Sequence, residues 1–354
     1  MKKPPVSSRK PSCDSDIFPS TRFYGSKRKQ SPWLEEELRR LTGSNALDAF
    51  GGTGAVSHLL AKLGWKTTYN DIFEFNTISA RAIFSNSINS LSRYDLSKFL
   101  EQVVPVEGFI SRTYEGIYFK SDENRWLDGF MNSLNGESSE RRDLLLHFLF
   151  QACLKKRPFN LFHRSNLKLR TSNIPVQFGN RTTWSKSFAT HIFETYEELK
   201  TTHFVNRSLI QVNSAICAKK ISEKYDLIYI DPPYFKHSKR NTDTYLQRYH
   251  FLEGLARFTE WPSIIDYASS QKIIKGPYRD EWTNKFDMIS NLRTMIQSHQ
   301  NTKFVLSYVS GEAPTEDELF NLFKENFDRV RLSRRSFNKA LSKKESFEIL
   351  IIGQ

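Results

Sequence analysis

The chain has 354 residues, with 52 Lys and Arg against 39 Asp and Glu and a formal net charge of +13. That length holds one catalytic domain plus one smaller insert, and that charge points to a polyanionic partner. Cys13, Cys153 and Cys217 sit at no metal-ligand spacing, so neither a zinc site nor a disulfide framework is supported, and with no 18-residue apolar run or apolar N-terminal core the protein is expected to be cytoplasmic.

Residues 1–19 are rich in Lys, Pro and Ser and read as a disordered basic tail. Ser31-Pro32 predicts a helix start, running through Arg40 and closed by Gly43. Residues 45–54 then give a strand and a glycine turn, Phe50-Gly51-Gly52-Thr53-Gly54, followed by an amphipathic helix ending at Gly64. Glycines at 51, 52 and 54 let the backbone bend hard and approach a ligand without Cβ obstruction. Residues 65–71 form a second strand with Asp71 at its carboxyl end, where an acid in an open α/β sheet takes both hydroxyls of a ribose. A glycine turn alone is weak, but the order strand, Gly turn, helix, strand, acid over about 20 residues is a nucleoside-binding signal.

Residues 74–100 read as mainly helical, and Arg141 to Cys153 as a helix in which His147 is a core residue. The next stretch, 155–170, interleaves basic residues with Phe159, Phe162 and His163 and is too rich in Asn and Pro for a plain helix. We read Lys155, Lys156, Arg157, Arg164, Lys168 and Arg170 as DNA backbone contacts, with Asn160 or Asn166 reading base edges. The alternative is a solvated basic face whose aromatics tuck into the core.

Residues 225–234 form a short apolar strand that ends in Asp231-Pro232-Pro233-Tyr234. The prolines cannot donate to a sheet ladder, so the strand stops there, leaving a carboxylate, two carbonyls and an aromatic ring at its mouth. An ordinary strand-to-turn exit uses the same residue types, but the nucleoside signal upstream weighs against it. Residues 235–248 are polar, basic and turn-rich, which suits a loop over a target base with Lys236, Lys239 and Arg240 on flanking phosphates; an idle loop is the alternative. A helix over 243–257, a strand over 302–309, a helix over 314–327 opening with acids, and strands near 328–333 and 345–352 complete the chain.

These motifs resemble the Dam-like (D12) class of DNA adenine-N6 methyltransferases. Arg22-Phe23-Tyr24-Gly25-Ser26-Lys27 is similar to the family's aromatic-Gly-Lys element, and Phe50–Gly54 to its F-x-G-x-G cofactor loop. Asn70-Asp71-Ile72 is similar to the acidic element, Asp231–Tyr234 to the catalytic element, and residues 305–308 and 348–351 to the late strands. The resemblance covers 21–85 and about 205–354 well and the middle loosely, and the order with a long insertion is similar to the alpha arrangement. It implies a Rossmann-like α/β S-adenosylmethionine-dependent methyltransferase sheet, discontinuous over 20–85 and 205–354, carrying a mainly helical target-recognition insertion at 86–204. It also implies that Asp231, Pro232 and Tyr234 are catalytic, that Phe50, Gly51, Gly52 and Gly54 cradle the cofactor, and that Asp71 takes its ribose. Lys27 and Asp231 would lie near its methionine end; Phe23 and Tyr24 line the same pocket or belong to the core. The sequence departs from the pattern at Ser26, where a second glycine is frequent, and at Asn213-Ser214, where an acid often precedes the cofactor adenine contact.

The residues permit the chemistry independently of the name. Adenine N6 is a poor nucleophile because its lone pair is delocalised into the ring. An acceptor at Asp231, with the carbonyl of Pro232, would hold both amino hydrogens and favour a more tetrahedral nitrogen, while Tyr234 offers a face for an extruded base. Cytosine-N4 enzymes more often carry Ser in place of Asp231, and RNA adenine or protein-glutamine enzymes more often carry Asn. A non-catalytic DNA-binding shell would not need intact Asp231, Tyr234 and Lys27, and a nicotinamide oxidoreductase would have no use for Asp-Pro-Pro-Tyr. The expected partner is double-stranded DNA, acted on by a monomer with no membrane contact. A restriction endonuclease sharing the same site would be a partner without stable contact.

Overall fold

In the computed structural model the described residues are 18–19, 26–172, 181–202, 204, 206–234, 245–275, 282, 285–337 and 346–354. Seven strands form one sheet: β1 (Asn45–Asp48), β2 (Lys66–Tyr69), β3 (Ile210–Val212), β4 (Leu227–Ile230), β5 (Lys303–Val309), β6 (Val330–Phe337) and β7 (Ser346–Gly353). Their order across the sheet is β3-β2-β1-β4-β5-β7-β6, with every pairing parallel except the two made by β7. The sheet centre is continuous hydrophobic sequence because both faces are covered: all four residues of β4 are buried.

The strand order reverses at β1, which has β2 on one side and β4 on the other. In register, Asp48 stands between Tyr69 and Tyr229. The chain therefore leaves β1, β2 and β4 side by side, with Asp48, Asp71 and Asp231 at adjacent carboxyl ends, the position where open α/β sheets bind ligands. Because β7 runs antiparallel, its first residues lie at the carboxyl end of β5, with Glu348 opposite Val309.

The helix Ser31–Leu38 starts on Pro32 as expected, and Ala55–Lys62 packs beside β2 after the glycine turn. Glu316–Lys324 carries a capping box between Thr315 and Glu318, which satisfies two orphan backbone donors. The insertion is helical. Ser121–Ser133, Ser139–Lys156 and Phe188–Lys200 join Glu74–Phe84 and Tyr245–Ala256 around one aromatic core. Phe162 stacks on Phe251 with ring centroids 5.1 Å apart, and Tyr114 meets Phe251 and Trp261. Residues 245–275, placed with the catalytic part by the sequence, thus share the insertion's core. His147 is buried in the Ser139–Lys156 helix, where burial pushes its pKa down to about 4 and keeps it neutral. No described helix is long and apolar enough to cross a membrane.

Candidate active site

A cleft opens at the carboxyl ends of β1, β2 and β4, lined by Lys27, Asp48, Phe50–Thr53, Asp71–Phe73, Asn76, Ile216–Ala218, Asp231, Pro233, Tyr245 and Trp282 among others. The glycine turn forms one wall. Gly51 donates its N–H to Asn70 O at 2.7 Å, fastening the turn to the end of β2. A Cβ on Gly51 would lie 2.2 Å from the Tyr69 ring, so no other residue fits without displacing that ring. Gly54 adopts φ +82, the left-handed region, and a Cβ there would also strike Phe84 at 2.7 Å.

Asp71 is held by the turn it faces. Gly52 N–H donates to its Oδ2 at 2.9 Å, and Phe73 N–H to its Oδ1 at 2.9 Å. Each oxygen retains acceptor capacity beyond that one bond. Burial raises the Asp71 pKa, opposed by those backbone hydrogen bonds. Asp48, which the sequence analysis did not single out, is 1% exposed and accepts from Ser57 Oγ at 2.7 Å through Oδ2 alone. Its Oδ1 is buried with no hydrogen-bond partner among the described residues. Burial, with Asp231 and Asp71 adding to it, pushes this carboxyl up to about 7. The available signal was its place at the end of β1, one residue short of Phe50-Gly51.

Asp231 follows β4, its side chain 17% exposed. Lys27 Nζ lies 3.1 Å from Asp231 Oδ1, and it also donates to Glu348 Oε1 and to Tyr234 OH. Tyr234 OH in turn donates to Asp231 Oδ1. The Tyr234 ring meets Tyr308 edge-on at 5.0 Å, and the Lys27 ammonium lies 5.1 Å from its centroid. Tyr234 therefore orients the Asp231 carboxylate, and it is not among the residues that line the cleft. Burial raises the Asp231 pKa, Lys27 opposes it and Glu348 reinforces it, for a net rise. Burial disfavours the Lys27 ammonium, but Asp231 and Glu348 outweigh it and its pKa is raised. Pro232 is buried directly behind Asp231.

Other expected cofactor residues fall differently. Phe50 lines the cleft and packs edge-on against Trp282 at 5.0 Å. Asn213 and Ser214 follow β3 but lie outside the cleft lining, where Ile216, Cys217 and Ala218 take that wall. Phe23, Tyr24, Lys236, Lys239 and Arg240 lie outside the described residues.

The basic stretch divides in two. Arg164 and Lys168 are exposed, but Arg157 is 0% exposed. Its guanidinium donates to the carbonyls of Tyr118, Leu161, Arg164 and Ser165 and stacks on the Tyr118 ring at 4.7 Å. Arg170 forms a bidentate pair with Glu123 at 2.7 and 2.9 Å, and buried Lys156 reaches the same carboxylate at 2.8 Å. Burial pushes the Glu123 carboxyl up, yet Arg170 and Lys156 outweigh it and hold it at about 2. Lys155 is turned to Thr195 Oγ1 at 3.2 Å. The expected contact role of Arg157, Lys156 and Arg170 is thus corrected: they hold the insertion together, because many carbonyls and one acid need donors there. Phe159 stands 64% exposed between them, its backbone left-handed at φ 63.

The fold is a Rossmann-like α/β sheet with a cleft at the carboxyl ends of its central strands. A family model for the D12 class N6 adenine-specific DNA methyltransferases matches residues 23–260, and the chain belongs to that family. It is 24% identical to the Type II methyltransferase M2.HphI of Haemophilus parahaemolyticus over 321 residues, 88% of this chain and 90% of that protein. It is 22% identical to the Type II methyltransferase M.NlaIII of Neisseria lactamica over 331 residues, 89% and 92% of the two chains. Modification methylase StsI of Streptococcus sanguinis is 25% identical over 365 residues, 93% of this chain but 51% of StsI.

Proposed function

We propose that this adenine-specific DNA methyltransferase moves a methyl group from S-adenosylmethionine to N6 of an adenine extruded from duplex DNA, at a defined site, as a modification enzyme with or without a restriction partner. The carrying observation is that Asp231, beside Lys27 and Tyr234, opens into the same cleft as Asp71 and residues Phe50, Gly51, Gly52 and Thr53 of the glycine turn. Chemistry and nucleoside binding share one wall.

The lining suits this donor. Asp48, Asp71 and Asp231 face Lys27 as the lone basic side chain among the described lining residues, an excess of negative charge that favours a cationic ligand. Phe50, Ile72, Ile216 and Cys217 supply apolar walls for a purine, Asp71 an acceptor for ribose hydroxyls, and the orphaned Asp48 Oδ1 an acceptor for an ammonium. Bound there, S-adenosylmethionine supplies an electrophilic methyl on a sulfonium. Asp231 accepts an amino hydrogen of adenine, the Pro232 carbonyl takes the other, and the nitrogen lone pair localises for in-line attack; the N–C bond would form as the methyl–sulfur bond breaks to leave a thioether, and the surplus proton on N6 would pass to solvent. Tyr234 and Lys27 fix the Asp231 carboxylate, so little reorganisation is needed as charge develops. Lys27 is proposed near the donor's methionine end.

The insertion at 86–204 is proposed to dock on DNA through Arg164 and Lys168, with exposed Phe159 as an apolar contact held by strained backbone. Labelled S-adenosylmethionine and duplex DNA test the function. Asp231→Ala is expected to abolish labelling of adenine N6 while leaving the unfolding midpoint near wild type. Label in cytosine, or in RNA alone, refutes the assignment.

A further inference from the structure

We propose that Glu348 is a positioning residue of the methyl-transfer site: it holds the Lys27 ammonium back from full pairing with Asp231, so that one Asp231 oxygen stays open to the adenine amino group. This rests on the reading of Asp231 as the acceptor.

Glu348 is a charge in an otherwise apolar strand. Its neighbours Ile349, Leu350, Ile351 and Ile352 are 0–1% exposed, and Glu348 itself is 4% exposed. A carboxylate in such a place is unfavourable without a specific partner, and its partner is Lys27, 321 residues away in sequence. Ser307 Oγ, on β5, supports the same Oε1 at 3.5 Å. Nothing about forming β7 requires an acid there, since the register is set by the apolar residues around it.

The ammonium has three N–H groups, and all three are used. One goes to Glu348, one to Tyr234 OH and one to Asp231 Oδ1. Tyr234 OH also donates to Oδ1, so both donors converge on one oxygen and none of the described residues donates to Oδ2. One cation is thereby shared between two carboxylates. Without Glu348 the freed N–H would turn to the remaining anion, filling Oδ2 and making Asp231 a weaker acceptor. The charged and titratable groups around this cluster are Asp48 from β1, Tyr229 from β4, Tyr234 and Tyr245. Arg335 stands opposite Glu348 in the β6 register but is exposed. Glu348 raises the Asp231 pKa directly, so its charge also tunes the acceptor.

The test is the pH profile of methyl transfer by the full chain on duplex DNA, for wild type, Glu348→Gln and Glu348→Asp, with thermal unfolding of each. In Glu348→Gln, kcat is expected to fall about tenfold or more, as for loss of a preorganised site group, with donor KM little changed. The acid limb of kcat at saturating donor is expected to move to lower pH, because Asp231 loses an anionic neighbour. Glu348→Asp should keep the limb in place. A variant with wild-type kcat and limb overturns the proposal, and so does lost kcat with an unmoved limb, which would make Glu348 a support of the fold alone. Should Glu348→Gln not fold, the double variant Lys27→Met/Glu348→Gln is compared with Lys27→Met. Equal kcat values on the pH-independent plateau are expected if Glu348 acts through Lys27, and a further large loss there overturns it. Nucleoside digestion of the product separates the two readings. Label on cytosine refutes adenine specificity yet leaves the Glu348 signature readable, whereas no transfer by wild type overturns both.

Discussion

If the donor binds as proposed, the carboxyl of Asp48 is expected to make its affinity depend on pH. Burial pushes it up to about 7, with Asp231 and Asp71 adding to the rise and Ser57 opposing it. A cationic group arriving about 4 Å from the orphaned Oδ1 favours ionisation by about 4 kcal/mol at an effective dielectric near 20, or about 3 pKa units. The bound carboxyl therefore returns to the ordinary range. Below pH 7 the free protein holds a proton at Asp48 that binding must expel, so affinity falls as pH drops. For a single group moving from about 7 to about 4, the dissociation constant should rise about eightfold between pH 7.5 and pH 6. Near pH 6 close to one proton should leave per donor bound. Titration calorimetry in two buffers of different ionisation enthalpy reads both quantities. Asp71 and Asp231 also have raised pKa values, so Asp48→Asn is the decisive comparison: it should flatten the affinity profile and remove the proton. Equal proton release by wild type and Asp48→Asn would refute the assignment of the linkage to Asp48.

Arg157→Met should lower stability by about 3–5 kcal/mol, because it strips a buried cation from four carbonyls left without it. Chemical denaturation reads the loss, and a variant that binds DNA weakly at unchanged stability would return Arg157 to the DNA surface. Arg164→Ala and Lys168→Ala should instead leave stability within about 0.5 kcal/mol and each reduce the slope of log affinity against log salt by about one. Unchanged slopes in both would place the phosphate contacts elsewhere.

Much of the fold was legible because its signals are local. The glycine turn and its flanking strands, the helix start at Pro32, the acids opening Glu316–Lys324 and the closing strand pair lie within a residue or a few of where the sequence placed them. The strand β3 and the helix Lys285–Ser298 were not read. A strand of three residues offers too short a pattern for periodicity to register, with none of its residues fully buried. Asp231, Asp71 and Lys27 were found because each belongs to a contiguous motif.

By itself the sequence determined the parts whose function is carried in a few adjacent residues: a strand stopped by two prolines beside an acid, and a turn that only glycine can make. Tertiary structure alone decided what depends on partners distant in the chain. It set Glu348 against Lys27 because an antiparallel β7 returns its first residues to the carboxyl end of β5. It also divided six similar cations into exposed ones and internal ones. Charge is a property of a residue, but whether it meets solvent, DNA or the half-buried Glu123 is settled by what the fold packs around it.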